Sequence, residues 1–442
     1  MPVVLTALAM VVAGLVLSAP AQAANRVTPG NFTGYGFDQC VTPSQEAMDA
    51  WLTSSPYWAV GIYIAGDSRY CGDVHQLNLT PTWVTTQLRN GWRLIPITVG
   101  PQASCATRYK DHVRIKADPT DDYTAARTQG RAEAVDTVER ASALGIAARS
   151  TLWYDIEAYD TSKVRCRESA LSFLSAWTET LHELGFVSGV YSSAASGIRA
   201  LDDARVAEPD RYTMPDRIWV ADWVDAGAYR EPPTVTPPSL VSRYFRADGW
   251  MPNRRMRQYR GGHDETHGGV RINIDTNYLH LGRGTLARRA PRFCGVQADF
   301  PRYRLLRPGS THQQVPAAQC MLRNKRYYEG AITGVYDEAT RSAVAAFQAD
   351  HGLRASGRLP RTTWTALLSK GGTPVLKVGS GGNQVRRVQR ALNAAVHAGL
   401  EVSGLFDPAT TTAVRAYQGE RGLPRTGVVA DDTWAHLQAG GI

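Results

Sequence analysis

Lysine is scarce in this chain of 442 residues: it stands only at Lys110, Lys116, Lys163, Lys325, Lys370 and Lys377, and arginine supplies the other basic side chains behind a net charge of +9. The arginines are dispersed rather than gathered in a stripe, and no nucleic-acid recognition motif is present, so a nucleic-acid partner is not expected. The basic balance favours acidic partners and does not by itself choose among them. Charge is absent altogether from the first 23 residues. Within them Val3 to Leu17 is too short to span a bilayer comfortably, and Ala21-Gln22-Ala23 is the small-x-small pattern at which a signal peptidase cuts. Residues 1–23 therefore read as a removable leader, with an uncleaved anchor as the alternative. No later stretch is long and apolar enough to cross a membrane, so the mature protein is expected to be exported, soluble and monomeric. With 43% hydrophobic residues the chain is too apolar for wholesale disorder.

C-x2-4-C pairs are also lacking, which excludes a zinc cluster, and neither a metal nor a cofactor is expected. Export makes the six cysteines candidates for disulfides, and fifteen pairings are open. Joining neighbours in sequence gives Cys40–Cys71, Cys105–Cys166 and Cys294–Cys320 as the expected set.

Shifting the chain by 70 residues superimposes two C-terminal segments without a gap. Leu306, Gln319, Gly334, Asp337, Gln348 and Trp364 fall on Leu376, Gln389, Gly404, Asp407, Gln418 and Trp434. Asp337 and Asp407 stand where a helix N-cap belongs, ahead of apolar residues at helical spacing. Gly352 and Gly422 stand where a left-handed residue closes that helix. A second helix starts near Thr362 or Asp432 and buries the Trp. Most matched positions read as core and caps. The segments TGVYDEATRSAVAAFQADHGL and SGLFDPATTTAVRAYQGERGL, each followed by TW-x-x-L, resemble the three-helix peptidoglycan-binding domain of bacterial wall hydrolases. That resemblance implies peptidoglycan as a partner, held by two modules, 303–369 and 373–442. Pro316 in the first helix of copy one is tolerable only in that helix's first turn.

Ahead of a linker at 286–302, residues 24–285 suit a single α/β domain of TIM-barrel size. Eight strand-like runs recur, Tyr35–Cys40, Trp58–Ala65, Arg93–Val99, Thr151–Ala158, Val187–Ser192, Arg217–Trp223, Arg255–Tyr259 and Val270–Tyr278. Amphipathic stretches at Ala125–Leu144 and Glu168–Leu184 lie between the earlier ones, which argues for parallel pairing. Residues 224–254 are Pro-rich and read as a loop, and 260–269 is too short for a parallel crossover. The expectation is an irregular TIM-type (β/α) barrel with a hairpin among its last strands, followed by two small helical modules.

Acids gather at the ends of these strands: Asp38, Asp67, Asp155, Glu157, Asp222 and Asp275. Such residues often serve only as caps or close loops. The i, i+2 spacing of Asp155 and Glu157, however, sends both to one face, and paired carboxylates push each other's pKa values apart. Glycoside hydrolysis uses that arrangement. Tyr191, Trp219 and Trp223 lie beside the acids and can stack on sugars, although Trp153 and Trp219 also read as core. GYGFDQC, WYDIEAYD, GVYSS, WVADW, RQY and NIDTNYL together resemble the glycoside-hydrolase-like barrel of secreted actinobacterial proteins, itself distantly similar to family 25 lysozymes. The resemblance implies Glu157 as general acid, Asp155 as the neighbouring carboxylate, and Asp38 and Asp275 completing an acidic floor lined by Gln258 and Tyr191. Asp222 and Trp223 join the substrate-binding set.

His263-Asp264-Glu265-Thr266-His267 is reminiscent of a zinc-protease helix, but Asp replaces Glu at its second position and Gly pairs flank it. An exposed polar turn is the expected reading. Two functions remain in play: a secreted peptidoglycan hydrolase of muramidase type, and a non-catalytic wall-binding protein that keeps a glycosidase-like barrel.

Overall fold

The computed structural model describes residues 25–108, 113–223, 239–282 and 294–442. The expected leader, part of the Pro-rich loop and part of the linker lie outside them. Eight strands close into a barrel in sequence order: β1 (Thr33–Asp38), β2 (Ala59–Ala65), β3 (Arg93–Thr98), β4 (Thr151–Asp155), β5 (Val187–Ser193), β6 (Arg217–Ala221), β7 (Arg255–His267) and β8 (Val270–His280). Strands β1 to β7 pair in parallel, and β8 runs antiparallel to both β7 and β1. The irregular barrel and its closing hairpin are thus as expected.

Helices α1 (Gln45–Ser54), α2 (Pro81–Asn90), α3 (Thr124–Ala143), α4 (Val164–Glu183) and α5 (Arg199–Ala207) cover the outside. Local sequence starts and stops them. Ser44 and Thr80 accept hydrogen bonds from first-turn amides, Pro81 opens α2, and Gly91 closes it in a left-handed conformation. The face of α3 that meets α4 is made of small residues. A side chain at Gly130 would stand 2.3 Å from the Phe173 carbonyl oxygen, so only glycine permits this approach. Inside the barrel Ile95, Ile97, Trp153, Trp219, Met256 and Leu279 form one apolar cluster. Trp153 and Trp219 pack edge to face with centroids 5.9 Å apart and are core.

Two strand limits depart from expectation. Sequence pattern carried β4 to Ala158, but the strand stops at Asp155, leaving Glu157 beyond it. The pattern ended the seventh strand at Tyr259, yet β7 continues to His267 and pairs with β8 as far as His267↔Val270, with register shifts around Gly261 and Gly262. The turn is Gly268-Gly269, both at positive φ. Glu265 is buried in this hairpin, so the exposed polar turn expected for 263–267 is incorrect. Alternation along a strand, invisible behind the Gly pairs, places His263, Glu265 and His267 on one face.

The repeats form α6 (Val315–Asn324), α7 (Glu338–Asp350), α8 (Arg361–Ser369), α9 (Asn383–Ala395), α10 (Pro408–Glu420) and α11 (Asp431–Gln438). Asp337 and Asp407 cap α7 and α10 by accepting from Thr340 and Thr410 amides. Gly352 and Gly422 have φ of +65° and +69°, and Pro316 lies in the first turn of α6. The matched glutamines are braces. Gln319 Nε2 donates to Thr340 Oγ1 and Val335 O, and Gln389 repeats this on Thr410 and Leu405. The three disulfides pair neighbours in sequence: Cys40–Cys71, Cys105–Cys166 and Cys294–Cys320.

The second repeat docks on the barrel end where the strands begin. Lys377 is 1% exposed. Its Nζ donates to Leu52 O (2.7 Å) and Ser55 O (3.1 Å) at the end of α1, and lies 4.6 and 5.0 Å from the Trp58 and Trp92 rings. Burial pushes this amine well below the ordinary lysine range, while the carbonyls and indole faces favour its charged form.

Candidate active site

The opposite end of the barrel, where the parallel strands finish, gathers the acids. Asp38 is the last residue of β1 and stands in register with Asp275 of β8, so the reversed strand brings Asp275 to this end. Space for Asp38 comes from β2: a Cβ on Gly61 would stand 2.4 Å from the Asp38 Cβ. Asp155 ends β4. The chain just beyond it is pinned by Gln102, whose Nε2 donates to Asp155 O (2.9 Å) and whose Oε1 accepts from the Glu157 amide (2.8 Å).

These residues line a cleft of about 360 Å³ that holds Asp38, Asp155, Glu157, Asp275, Tyr191, Trp223 and Gln258. Its floor is a hydrogen-bond network. Asp38 accepts from Asn277 Nδ2 (2.7 Å), Gln258 Nε2 (3.2 Å) and Tyr63 OH (3.1 Å). Gln258 Nε2 also reaches Asp275 Oδ2 (3.2 Å), while its Oε1 accepts from Tyr191 OH (2.8 Å) and Trp223 Nε1 (3.0 Å). Asn277 is itself oriented by Trp219 Nε1 (2.8 Å). Asp155 is treated differently: its Oδ1 is buried with no hydrogen-bond partner among the described residues.

Burial dominates the electrostatics. It raises the Asp38 carboxyl to about 7, helped by Asp275, against the pull of three donors toward the ionised form. Burial also raises Asp155 well above the carboxylate range, reinforced by Glu157 and Asp38. Asp275 is raised by burial too, opposed by the Gly262 amide and by His263. Carboxyls this close cannot all ionise, so the cluster keeps a proton at neutral pH and titrates as a unit.

Glu157 lies nearer the opening, its side chain 16% exposed, with Arg108 Nη1 3.3 Å from its Oε2. That guanidinium is 67% exposed, and an ion pair so open to water contributes ~0–1 kcal/mol. Beyond Glu157 the cleft continues into a lobe of about 320 Å³ lined by Arg108, Tyr191, Ala194, Asp222, Trp223 and Tyr244. Trp223 is 56% exposed and borders both lobes. Asp222 lies in the outer lobe, 3.7 Å from Arg257, and does not line the acidic floor.

The residues assigned to the site from sequence reach the cleft or its outer lobe, but Asp67, grouped with the strand-end acids, is exposed and lines neither. Four participants were missed: Tyr63, Gln102, Arg108 and Asn277. Asn277 carried a signal, since it follows Asp275 at strand spacing. Tyr63, Gln102 and Arg108 carried none, because their roles arise from tertiary packing. The His263–His267 segment makes no metal centre: among the described residues no group of three potential ligands could hold an ion. Instead Glu265 accepts from His263 (3.0 Å), His267 (2.8 Å) and Tyr57 OH (2.8 Å).

Comparison with known proteins adds three findings. The Rv2525c-like, glycoside hydrolase-like domain family matches residues 49–279, and the "Putative peptidoglycan binding domain" family matches 311–367 and 381–437. No curated protein matches the chain. Similar solved structures include an uncharacterized B. stearothermophilus protein (18% identity, 56% of this chain and 95% of that one, TM-score 0.35). Another is the Mycobacterium tuberculosis Tat-secreted protein Rv2525c with L-tartrate (12%, 56% and 95%, 0.35). A third is a family 25 glycosyl hydrolase from Bacillus anthracis (12%, 60% and 96%, 0.33).

Proposed function

Because the chain belongs to the Rv2525c-like, glycoside hydrolase-like domain family, we propose that it is a secreted, wall-associated hydrolase that cuts the glycan strand of peptidoglycan as a muramidase does. The observation that carries this reading is the convergence of Asp38, Asp155, Glu157 and Asp275 in one open cleft, with burial holding a proton among them at neutral pH. Glycoside hydrolysis needs one carboxyl protonated and one ionised across the scissile bond. Glu157, at the opening, delivers the proton to the leaving oxygen. Asp155, below it, steadies the oxocarbenium-like state or the substrate's N-acetyl group, and Asp38 and Asp275 set the charge of the floor. Trp223 and Tyr191 offer flat faces to the sugars, while Gln258 and Asp222 offer polar groups. The two C-terminal repeats hold the enzyme on its polymer, and tandem attachment raises retention through effective concentration.

The Arg108–Glu157 pair favours the second reading, a non-catalytic wall-binding protein, because the guanidinium occupies the carboxylate that would have to meet the leaving oxygen. Digestion of purified peptidoglycan by the mature protein and by Glu157→Gln separates them, with new reducing ends read by mass spectrometry. Reducing muramic acid ends from the wild type alone support the muramidase. If neither protein cuts while both pellet with the wall, the barrel is a binding module.

A further inference from the structure

A second cavity, of about 540 Å³, opens where the second repeat meets the barrel, far along the hairpin from the cleft floor. Ser54 and Pro56 from the end of α1, Glu265 and His267 from the hairpin, and Arg415 and Arg425 from the repeat line it. The acids of this wall are already committed. Glu265 is held by Tyr57, His263 and His267, and Asp264 by Arg271 and by Asn273 at 3.0 Å. The arginines are not: among the described residues neither pairs with a carboxylate, and Arg415 Nε is buried without a hydrogen-bond partner. Two like charges held side by side, one of them partly desolvated, leave an unmet demand for an oxyanion, which guanidinium forks satisfy bidentately.

The repeat supplies an internal control. The positions of copy one that correspond to Arg415 and Arg425 are Ala345 and Ala355. Shared residues build the module, whereas this pair occurs only in the copy that docks on the barrel. The docking itself is firm, since Lys377 is buried against α1 and a side chain at Gly379 would stand 2.6 Å from the Phe32 ring.

We propose that this junction is a binding site for a carboxylate of peptidoglycan, gripped by Arg415 and Arg425 between the wall-binding module and the barrel. A singly charged group suits it, because the Glu265 and Asp264 carboxylates share the lining and would repel a doubly charged phosphate. Ser54, Thr266 and Thr426 add groups able to bond neighbouring hydroxyls or amides. The inference rests on the reading of the repeats as peptidoglycan anchors.

The test is a sedimentation isotherm of the full chain, carrying Glu157→Gln to prevent digestion. The probes are purified peptidoglycan stripped of phosphodiester polymers, the same material with its carboxyls amidated, and walls that retain those polymers. Arg415→Ala/Arg425→Ala should weaken binding to the native material by about 10-fold, the worth of one charge-assisted contact. Amidation should cost the parent a similar factor and the double variant nothing further. Arg425→Glu, at an exposed position, should lose at least as much with an unchanged melting temperature. Equal binding by parent and variants, or a loss that survives amidation, overturns this proposal alone. A loss seen only on walls that retain phosphodiester polymers overturns the carboxylate assignment. Failure of the parent to bind either material overturns the anchoring role as well.

Discussion

The two ends of the barrel both bury charge, and they treat it in opposite ways. At the end where the strands begin, Lys377 donates to two carbonyls and faces two indole rings, contacts that offset the burial of its amine. Where the parallel strands finish, Asp155 keeps an oxygen with no partner among the described residues, and Asp38, despite three donors, is pushed to about 7 by burial and Asp275. A satisfied buried charge fixes geometry, here the seat of the second repeat. An unsatisfied one costs stability and retains reactivity, the usual signature of a site evolved for chemistry. The difference lies in the neighbours and not in the depth of burial.

The comparison can be broken most forcefully at Glu157. If the upper end is a catalytic site, Glu157→Gln should lower peptidoglycan cleavage by about 100- to 10,000-fold, measured as reducing ends released, with little change in melting temperature. Lys377→Glu attacks the other end. A carboxylate facing the Leu52 and Ser55 carbonyls should cost about 3–5 kcal/mol and release the second repeat, detected by limited proteolysis, while cleavage of short soluble glycans persists.

Smaller effects sharpen the contrast. A carboxyl raised in the fold stabilises fully below its unfolded pKa, near 4, and loses that contribution as pH climbs through the folded value. Asp38 should therefore cost the wild type about 2–4 kcal/mol between about pH 4 and about 7. Asp38→Asn should flatten that slope, measured as unfolding midpoint against pH. Trp223→Ala should weaken glycan binding about 3- to 10-fold by calorimetry, with the fold intact because the indole is half exposed.

Much of this was legible in the sequence because it rests on local rules. Caps at Asp337 and Asp407, closing glycines at Gly352 and Gly422, and a 70-residue repeat are patterns within short windows. The eight strand-like runs and the short 260–269 connection gave the barrel and its reversed last strand. What stayed hidden depends on distance in sequence. Tyr63 reaches Asp38 from the neighbouring strand β2, Arg108 meets Glu157 from another loop, and Gln102 pins β4 from beyond the end of β3. The 263–267 segment misled for a physical reason: Gly-Gly pairs advertise a turn at both ends, while pairing with β8 overrides the first of them. The inter-module seat had only one trace, a buried role for one of six lysines, and no local pattern reveals burial of that kind.

The contrast between spent and unspent charge turns on Asp155, and its most direct test is the thermal unfolding midpoint of Asp155→Asn at pH 7. Asparagine keeps the shape and removes the penalty of a carboxyl whose Oδ1 is buried with no partner among the described residues, so the variant should unfold roughly 3–8 °C above the wild type. A midpoint below the wild type would mean that Asp155 is held by interactions that stabilise its charge, and the upper end would then be structural in the same sense as the lower.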